Sequence, residues 1–170
     1  MGLVQDTTDA MLDQWKLERP ELDTSGMAVV LRVLQASGAF SERLKRLLEP
    51  SNLTPWEFDV LSALRRVGKP WGVPSKDLCE SAMLTSGAMS NRIDRLEERG
   101  LVKRRPNPLD RRSTMVHLTR KGLARVDRVI GLRMEDAVES VQSLRSKDRA
   151  ELARLLRLVV LGLEDEVSSD

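Results

Sequence analysis

Residues 101–118 read LVKRRPNPLDRRSTMVHL, and they hold Arg104, Arg105, Arg111, Arg112, two prolines and Asp110. The stretch is too short and too Pro-broken to be a helix, because proline lacks the N–H that a helix interior needs. Its ends, Leu101 to Arg105 and Thr114 to Leu118, are β-prone, so it reads as a hairpin with a long basic tip. Alternation along the second run puts Val116 and Leu118 inward and His117 outward, where an ordinary exposed side chain is expected.

What precedes the hairpin gives it meaning. A short helix from Pro74 to about Ser81 leads through Met83 and Leu84 to a start signal at Thr85. The helix that follows runs to Glu98 or Arg99, with Gly100 where a left-handed C-cap belongs. Met89, Ile93 and Leu96 form its inward side. The opposite side carries Ser86, Ser90, Asn91, Asp94 and Arg95, small and polar where a surface helix is usually rich in Glu and Lys. Two short helices joined tightly, the second presenting hydrogen-bonding groups, make a helix-turn-helix. The hairpin turns it into a winged helix-turn-helix.

Further out the chain is helical. Thr54 as N-cap, Pro55 at the first position and Glu57 completing a capping box start a helix closed by Gly68, and a turn follows over Lys69 to Val73. An N-terminal arm over Asp9 to Arg19 breaks at Pro20. A second helix, signalled at Asp23 to Ser25, carries Val30, Val33, Leu34, Phe40, Leu44 and Leu47 and ends near Pro50. After the hairpin, Thr119 caps a helix striped with Leu123, Val126, Ile130, Met134, Ala137 and Val141, and Ser146 caps the last one. That last helix contains RLLRLVVLGLEDEV, apolar on more of its circumference than one packing face needs. It is expected to form a homodimer interface with the arm and the second helix. The fold class is therefore mainly α (α+β): an arm and dimerisation helix over residues 1–50, a winged DNA-binding lobe over 51–120, and dimerisation helices over 121–170.

Charge supports this division. Residues 85–128 carry 12 Lys/Arg against 5 Asp/Glu, whereas residues 1–84 carry 10 against 12 and residues 129–170 carry 6 against 9. A local basic zone in a near-neutral chain is the footprint of a nucleic-acid contact surface, and a solvated basic face is the plainer alternative. One cysteine, Cys79, excludes an internal disulfide, and one histidine leaves little for a metal site. No phosphate loop, nucleophile elbow or paired-His motif is present, so no enzyme and no cofactor are expected. No apolar run approaches the roughly 20 residues that a bilayer requires. The opening MGLVQDTTDAM lacks a signal-peptide pattern, which predicts a cytoplasmic protein without a membrane partner.

DRRSTMVHLT, Asp110 to Thr119, resembles the D-x-R-x-x-x-V-x-L-T wing signature of the MarR family of bacterial transcription regulators, and SNRIDRLEERGLV resembles its recognition helix. The resemblance extends over essentially the whole chain. It implies a homodimer that reads a pseudo-palindrome in double-stranded DNA. QWKLERPELD, with Trp15, is further similar to the urate-responsive PecS and MftR branch of that family. That likeness implies a ligand site formed by Trp15, Asp59 in WEFDVL, Arg92 in SNRI and Arg104 in VKRR.

The DNA chemistry follows from placing the Thr85 to Arg99 helix in the major groove, where Ser86, Ser90, Asn91 and Arg95 meet base edges or phosphates. The resemblance assigns the adjacent minor groove to Arg112, with Arg111 beside it, and leaves Asp110 to set the loop. Arg120 and Lys121 are candidates for added phosphate contacts. The effector implied is a small planar anion such as urate: Trp15 supplies a wall, Arg104 a cation, and Asp59 holds Arg92 until ligand breaks the pair. The expected function is an effector-released repressor. Competing readings are an activator, an effector-independent architectural or interaction protein, and a redox-responsive regulator using Cys79, whose place on a short helix favours an inert buried thiol.

Overall fold

A computed structural model describes residues 5–69, 72–81, 86–108, 110 and 113–167, the side chains of 79–81, 86, 87, 166 and 167 excepted. Helix α1 (Thr7–Glu18) begins where Asp6 and Asp9 exchange hydrogen bonds: Asp6 Oδ1 accepts the Asp9 N–H at 2.9 Å and Asp9 Oδ2 the Asp6 N–H at 3.0 Å. The chain turns at Pro20 and enters α2 (Ser25–Leu48), whose first N–H is held by Asp23 at 2.8 Å. A single 3-10 turn, Glu49–Ser51, absorbs Pro50 and leads to α3 (Pro55–Arg66). As the sequence predicts, Glu57 reaches back to Thr54, accepting its N–H at 2.8 Å.

The lobe then alternates: β1 (Gly72–Pro74), α4 (Ser75–Ser81), α5 (Ser86–Glu98), β2 (Val102–Pro106) and β3 (Thr114–Leu118). The hairpin is present, with its register running from Val102 opposite Leu118 to Pro106 opposite Thr114. The sequence reading of 69–73 as a turn needs correction. Gly72–Pro74 adds a third strand on the other side of β3, giving the order β1-β3-β2. Three residues ending in proline show no alternation, so nothing local announces this strand. It also corrects His117. Gly72 lies opposite His117, and a Cβ there would fall 2.2 Å from the ring, so the imidazole is half-buried over the glycine rather than free in solvent.

One apolar core holds α3, α4, α5 and the sheet together. Leu61 and Leu64 of α3, Leu78 of α4, Met89, Ile93 and Leu96 of α5, and Val116 of β3 are almost wholly buried in it. Each contributes on the order of 1.5–3 kcal/mol through its removal from water. Helix α6 (Arg120–Ser140) closes the core with Val126 and Val129. Its entry is tight: Thr119 Oγ1 donates to the Gly100 carbonyl at 2.7 Å and accepts the Gly122 N–H at 3.0 Å. A Cβ on Gly122 would lie 2.0 Å from the Leu101 carbonyl oxygen, so only glycine fits where α6 crosses the start of β2.

The terminal helices are arranged differently. Helix α7 (Ser146–Val167) starts at Ser146 itself, which is therefore the first helical residue and not the cap. Helix α1 is tied to α2 by Arg32, which donates to Asp6 at 2.9 Å and Asp9 at 2.6 Å. Between α2 and α7 lies an open groove of about 1080 Å³, lined by Val33, Phe40 and Leu44 on one side and Leu152, Leu155 and Val159 on the other. Val30, Val33, Leu34 and Phe40 are exposed in the single chain, and so is Met134 of the α6 stripe, whereas Ala137 and Val141 are half-buried. None of the described helices is long and apolar enough to cross a membrane.

Candidate nucleic-acid interface and effector cavity

Helix α5 is held by its core face and by three arginines. Met89, Ile93 and Leu96 anchor one side, leaving Ser90, Asn91, Asp94 and Arg95 exposed. At its C-terminus Arg99 pairs with Glu57, which is only 3% exposed, and donates to the Asn52 carbonyl. Burial pushes the Glu57 carboxyl up, but the Thr54 N–H and the Arg99 guanidinium outweigh it and hold the group below its usual range. Lys121 Nζ donates to the Arg99 carbonyl at 2.7 Å, where a cation complements the negative end of the helix.

The second arginine comes from the hairpin. Arg104 on β2 donates to Asp94 at 2.5 Å and Glu97 at 2.9 Å, and its backbone N–H reaches Glu97 at 2.9 Å. A further contact goes to the Ser90 carbonyl at 3.3 Å. Residues 90, 94 and 97 form one stripe of a helix, so Arg104 straps the base of the hairpin along one flank of α5. Arg92 lies about 200° around from Ser90, on the other flank.

There α3, α4, α5 and α6 enclose a cavity of about 540 Å³, a size that suits a small organic ligand. Its walls are Phe58, Leu78, Met89 and Ile130. Its polar groups are Asp59, Ser62 and Arg66 from α3, Arg92 from α5 and Arg133 from α6. The carboxyl of Asp59 opens to solvent, yet partial dehydration raises its pKa above the ordinary aspartate value against the pull of Arg92 and Arg66. The Arg92 guanidinium carbon stands 5.3 Å from the centroid of the Trp56 ring, a cation–π distance. Arg133 donates to Asp136 at 3.0 Å.

The four residues implied as a ligand site are therefore divided. Asp59 and Arg92 share the cavity. Trp15 sits half-exposed on α1 and does not line it, and Arg104 is engaged on the opposite flank of α5. The aromatic ring beside Arg92 is Trp56, which the sequence reading passed over together with Ser62, Arg66 and Arg133. A signal for the α3 residues exists: Asp59, Ser62 and Arg66 recur at spacings of three and four, a polar stripe beside the buried Phe58, Leu61 and Leu64.

Of the residues assigned to DNA, Ser90, Asn91 and Arg95 are exposed on α5. Arg111, Arg112 and the start signal Thr85 lie outside the described residues, as do the side chains of Ser86 and Cys79. Around the hairpin tip, the Asn107 N–H donates to the Ser113 carbonyl at 3.1 Å, and the Ser113 N–H to the Asp110 carbonyl at 3.0 Å. Arg120 is exposed at the start of α6, whereas Lys121 is engaged at the end of α5.

Comparison with known proteins agrees with this geometry. The MarR family profile matches residues 51–113. The transcriptional regulator PecS of Dickeya dadantii is 30% identical over 146 residues, covering 86% of this chain and 88% of that protein. A mutant MarR of Escherichia coli complexed with operator DNA superposes with a TM-score of 0.69 at 25% identity, covering 85% and 96% of the two chains. AbsC of Streptomyces coelicolor, a MarR family regulator, shares the fold with a TM-score of 0.77 at 23% identity over 85% of this chain and 97% of AbsC.

Proposed function

The chain belongs to the MarR family of transcription regulators, and on that premise we propose that it binds a pseudo-palindromic operator as a homodimer and acts as a repressor released by a small planar anion such as urate. The observation that carries the DNA part is the polar face of α5, pinned from behind by Met89, Ile93 and Leu96 and flanked by a basic hairpin. Ser86, Ser90, Asn91 and Arg95 meet the major groove, where hydroxyls, an amide and a guanidinium read donor and acceptor patterns or hold phosphates. Arg111 and Arg112 enter the flanking minor groove, drawn by its negative potential. The apolar groove between α2 and α7 is covered by a second copy, which spaces two recognition helices about 34 Å apart or a multiple of it.

The effector enters the cavity beside α5 and contacts Asp59 and Arg92. Arg92 is held there by the Trp56 ring and attracted by the partly dehydrated carboxylate of Asp59, and an anion competes with that attraction directly. Drawing Arg92 toward ligand turns α5 against its DNA. Arg104 contributes from the other flank as the strap that fixes the hairpin to the helix, and Trp15 as a surface residue of the arm. Because the two equilibria are linked, operator DNA weakens effector binding by the factor by which effector weakens DNA binding.

A mobility shift with the DNA upstream of the coding region tests both parts. Binding is expected to be sequence-selective, to fall steeply with salt as phosphate contacts are lost, and to be relieved by urate below millimolar concentration. Uniform weak binding to any duplex would refute the regulator reading. Selective binding that is unchanged up to millimolar urate would refute the urate effector alone.

A further inference from the structure

We infer that Ser62 and Arg133 contact ligand in the cavity beside α5, and that together they select a planar ring carrying a negative charge next to a hydrogen-bonding edge. The inference rests on the reading of that cavity as an effector site and says what the site recognises.

The hydroxyl oxygen of Ser62 is buried and has no hydrogen-bond partner among the described residues. A buried hydroxyl left in this way costs stability that alanine at the same position would not, so the residue is poorly explained by packing. Ser62 lines the cavity, and rotation about its Cα–Cβ bond would turn the hydroxyl to a ligand edge there, which would satisfy it as either donor or acceptor. Charge points to the same class of ligand. The lining carries three guanidiniums, Arg66, Arg92 and Arg133, against the one carboxylate of Asp59. Arg92 faces Trp56, and Arg133 is anchored by one nitrogen on Asp136, whose carboxylate is itself gripped by Arg43 at 2.6 Å. That anchorage fixes the plane of the Arg133 guanidinium and leaves its remaining donors as a fork, a geometry suited to a flat anion. Phe58, Met89 and Ile130 provide the apolar faces between which a ring can lie.

The test is calorimetric binding of urate and of xanthine at mildly acidic pH, where the first is a monoanion and the second a neutral molecule of the same ring skeleton. Wild type is expected to bind urate at least about tenfold tighter than xanthine, the scale of one charge-assisted hydrogen bond. Ser62→Ala should weaken urate about five- to tenfold while raising the melting temperature of the ligand-free protein by about 2 °C, as removal of an unsatisfied buried hydroxyl predicts. Arg133→Gln should abolish the preference for urate over xanthine. Arg133→Lys, which keeps the charge for pairing with Asp136, should retain the fold and part of the preference. If wild type binds no urate at millimolar concentration, the effector reading fails and this inference with it. If Asp59→Asn or Arg92→Ala loses urate while Ser62→Ala and Arg133→Gln bind it as wild type does, the effector reading stands and the inference is overturned.

Discussion

The two flanks of α5 are held by arginines of different kinds. On one flank Arg104 reaches two carboxylates of the helix itself and a backbone carbonyl, so hairpin and helix move as one piece. On the other, Arg92 rests on an aromatic ring beside a carboxylate whose ionisation is opposed by dehydration. The first arrangement engages both terminal nitrogens of its guanidinium in hydrogen bonds, and the second engages the guanidinium on a ring. A helix built this way is fixed to the hairpin on one flank and to the core behind it, while the flank facing the cavity is the one on which the proposed effector would act.

The contrast can be broken at several points. The largest effect is expected at the shared C-terminal anchor: Glu57→Ala leaves Arg99 without its buried partner and should cost about 3 kcal/mol in urea unfolding. Gly122→Ala should follow at about 2 kcal/mol, because the new methyl meets the Leu101 backbone, and it should loosen both flanks equally. Arg104→Ala should cost only about 1 kcal/mol of stability, since its partners are half-exposed, yet weaken operator binding with and without effector alike. Arg92→Ala should change stability least, by about 0.5 kcal/mol, and remove the effector response instead.

Acid sharpens the comparison further. Glu57 titrates below its ordinary 4.5, so its contribution is complete above that pH and is lost as the pH falls through its folded value. Asp59 titrates above its ordinary 3.8, so it favours the fold while protonated and that contribution is lost as the pH rises. Urea midpoints followed through this range should therefore show Glu57→Gln flattening the acid-side loss of stability and Asp59→Asn steepening it.

Much of this was legible in the sequence wherever the determinant is local. Thr54 and Glu57 announce α3, Thr119 announces α6, and Gly100 adopts the left-handed conformation, at φ 67°, that ends α5. The inward residues of α5 followed from spacing alone. The arginine partners did not: Arg99 and Glu57 are 42 residues apart, and no pattern along the chain couples them. Strand β1 was invisible because its pairing is set by β3 and by the space under His117. The candidate cavity was half-legible: of the four residues that the resemblance implied as a ligand site, Asp59 and Arg92 line it and Trp15 and Arg104 do not, while the stripe of Asp59, Ser62 and Arg66 stood unread on α3.

Helix α6 is clasped at one end to the joint between α5 and β2, and at the other it grips α2 through Arg43 with Asp136 and Glu139. Its 21 residues make a rod about 31 Å long. Mechanically it is a lever with its fulcrum in the core at Val126 and Val129, and a tilt of about 5° swings its ends by about 3 Å relative to each other, roughly a tenth of the separation between adjacent major grooves. In the proposed dimer, a small displacement in one lobe would be delivered by this lever, without unfolding, to the spacing between the two lobes.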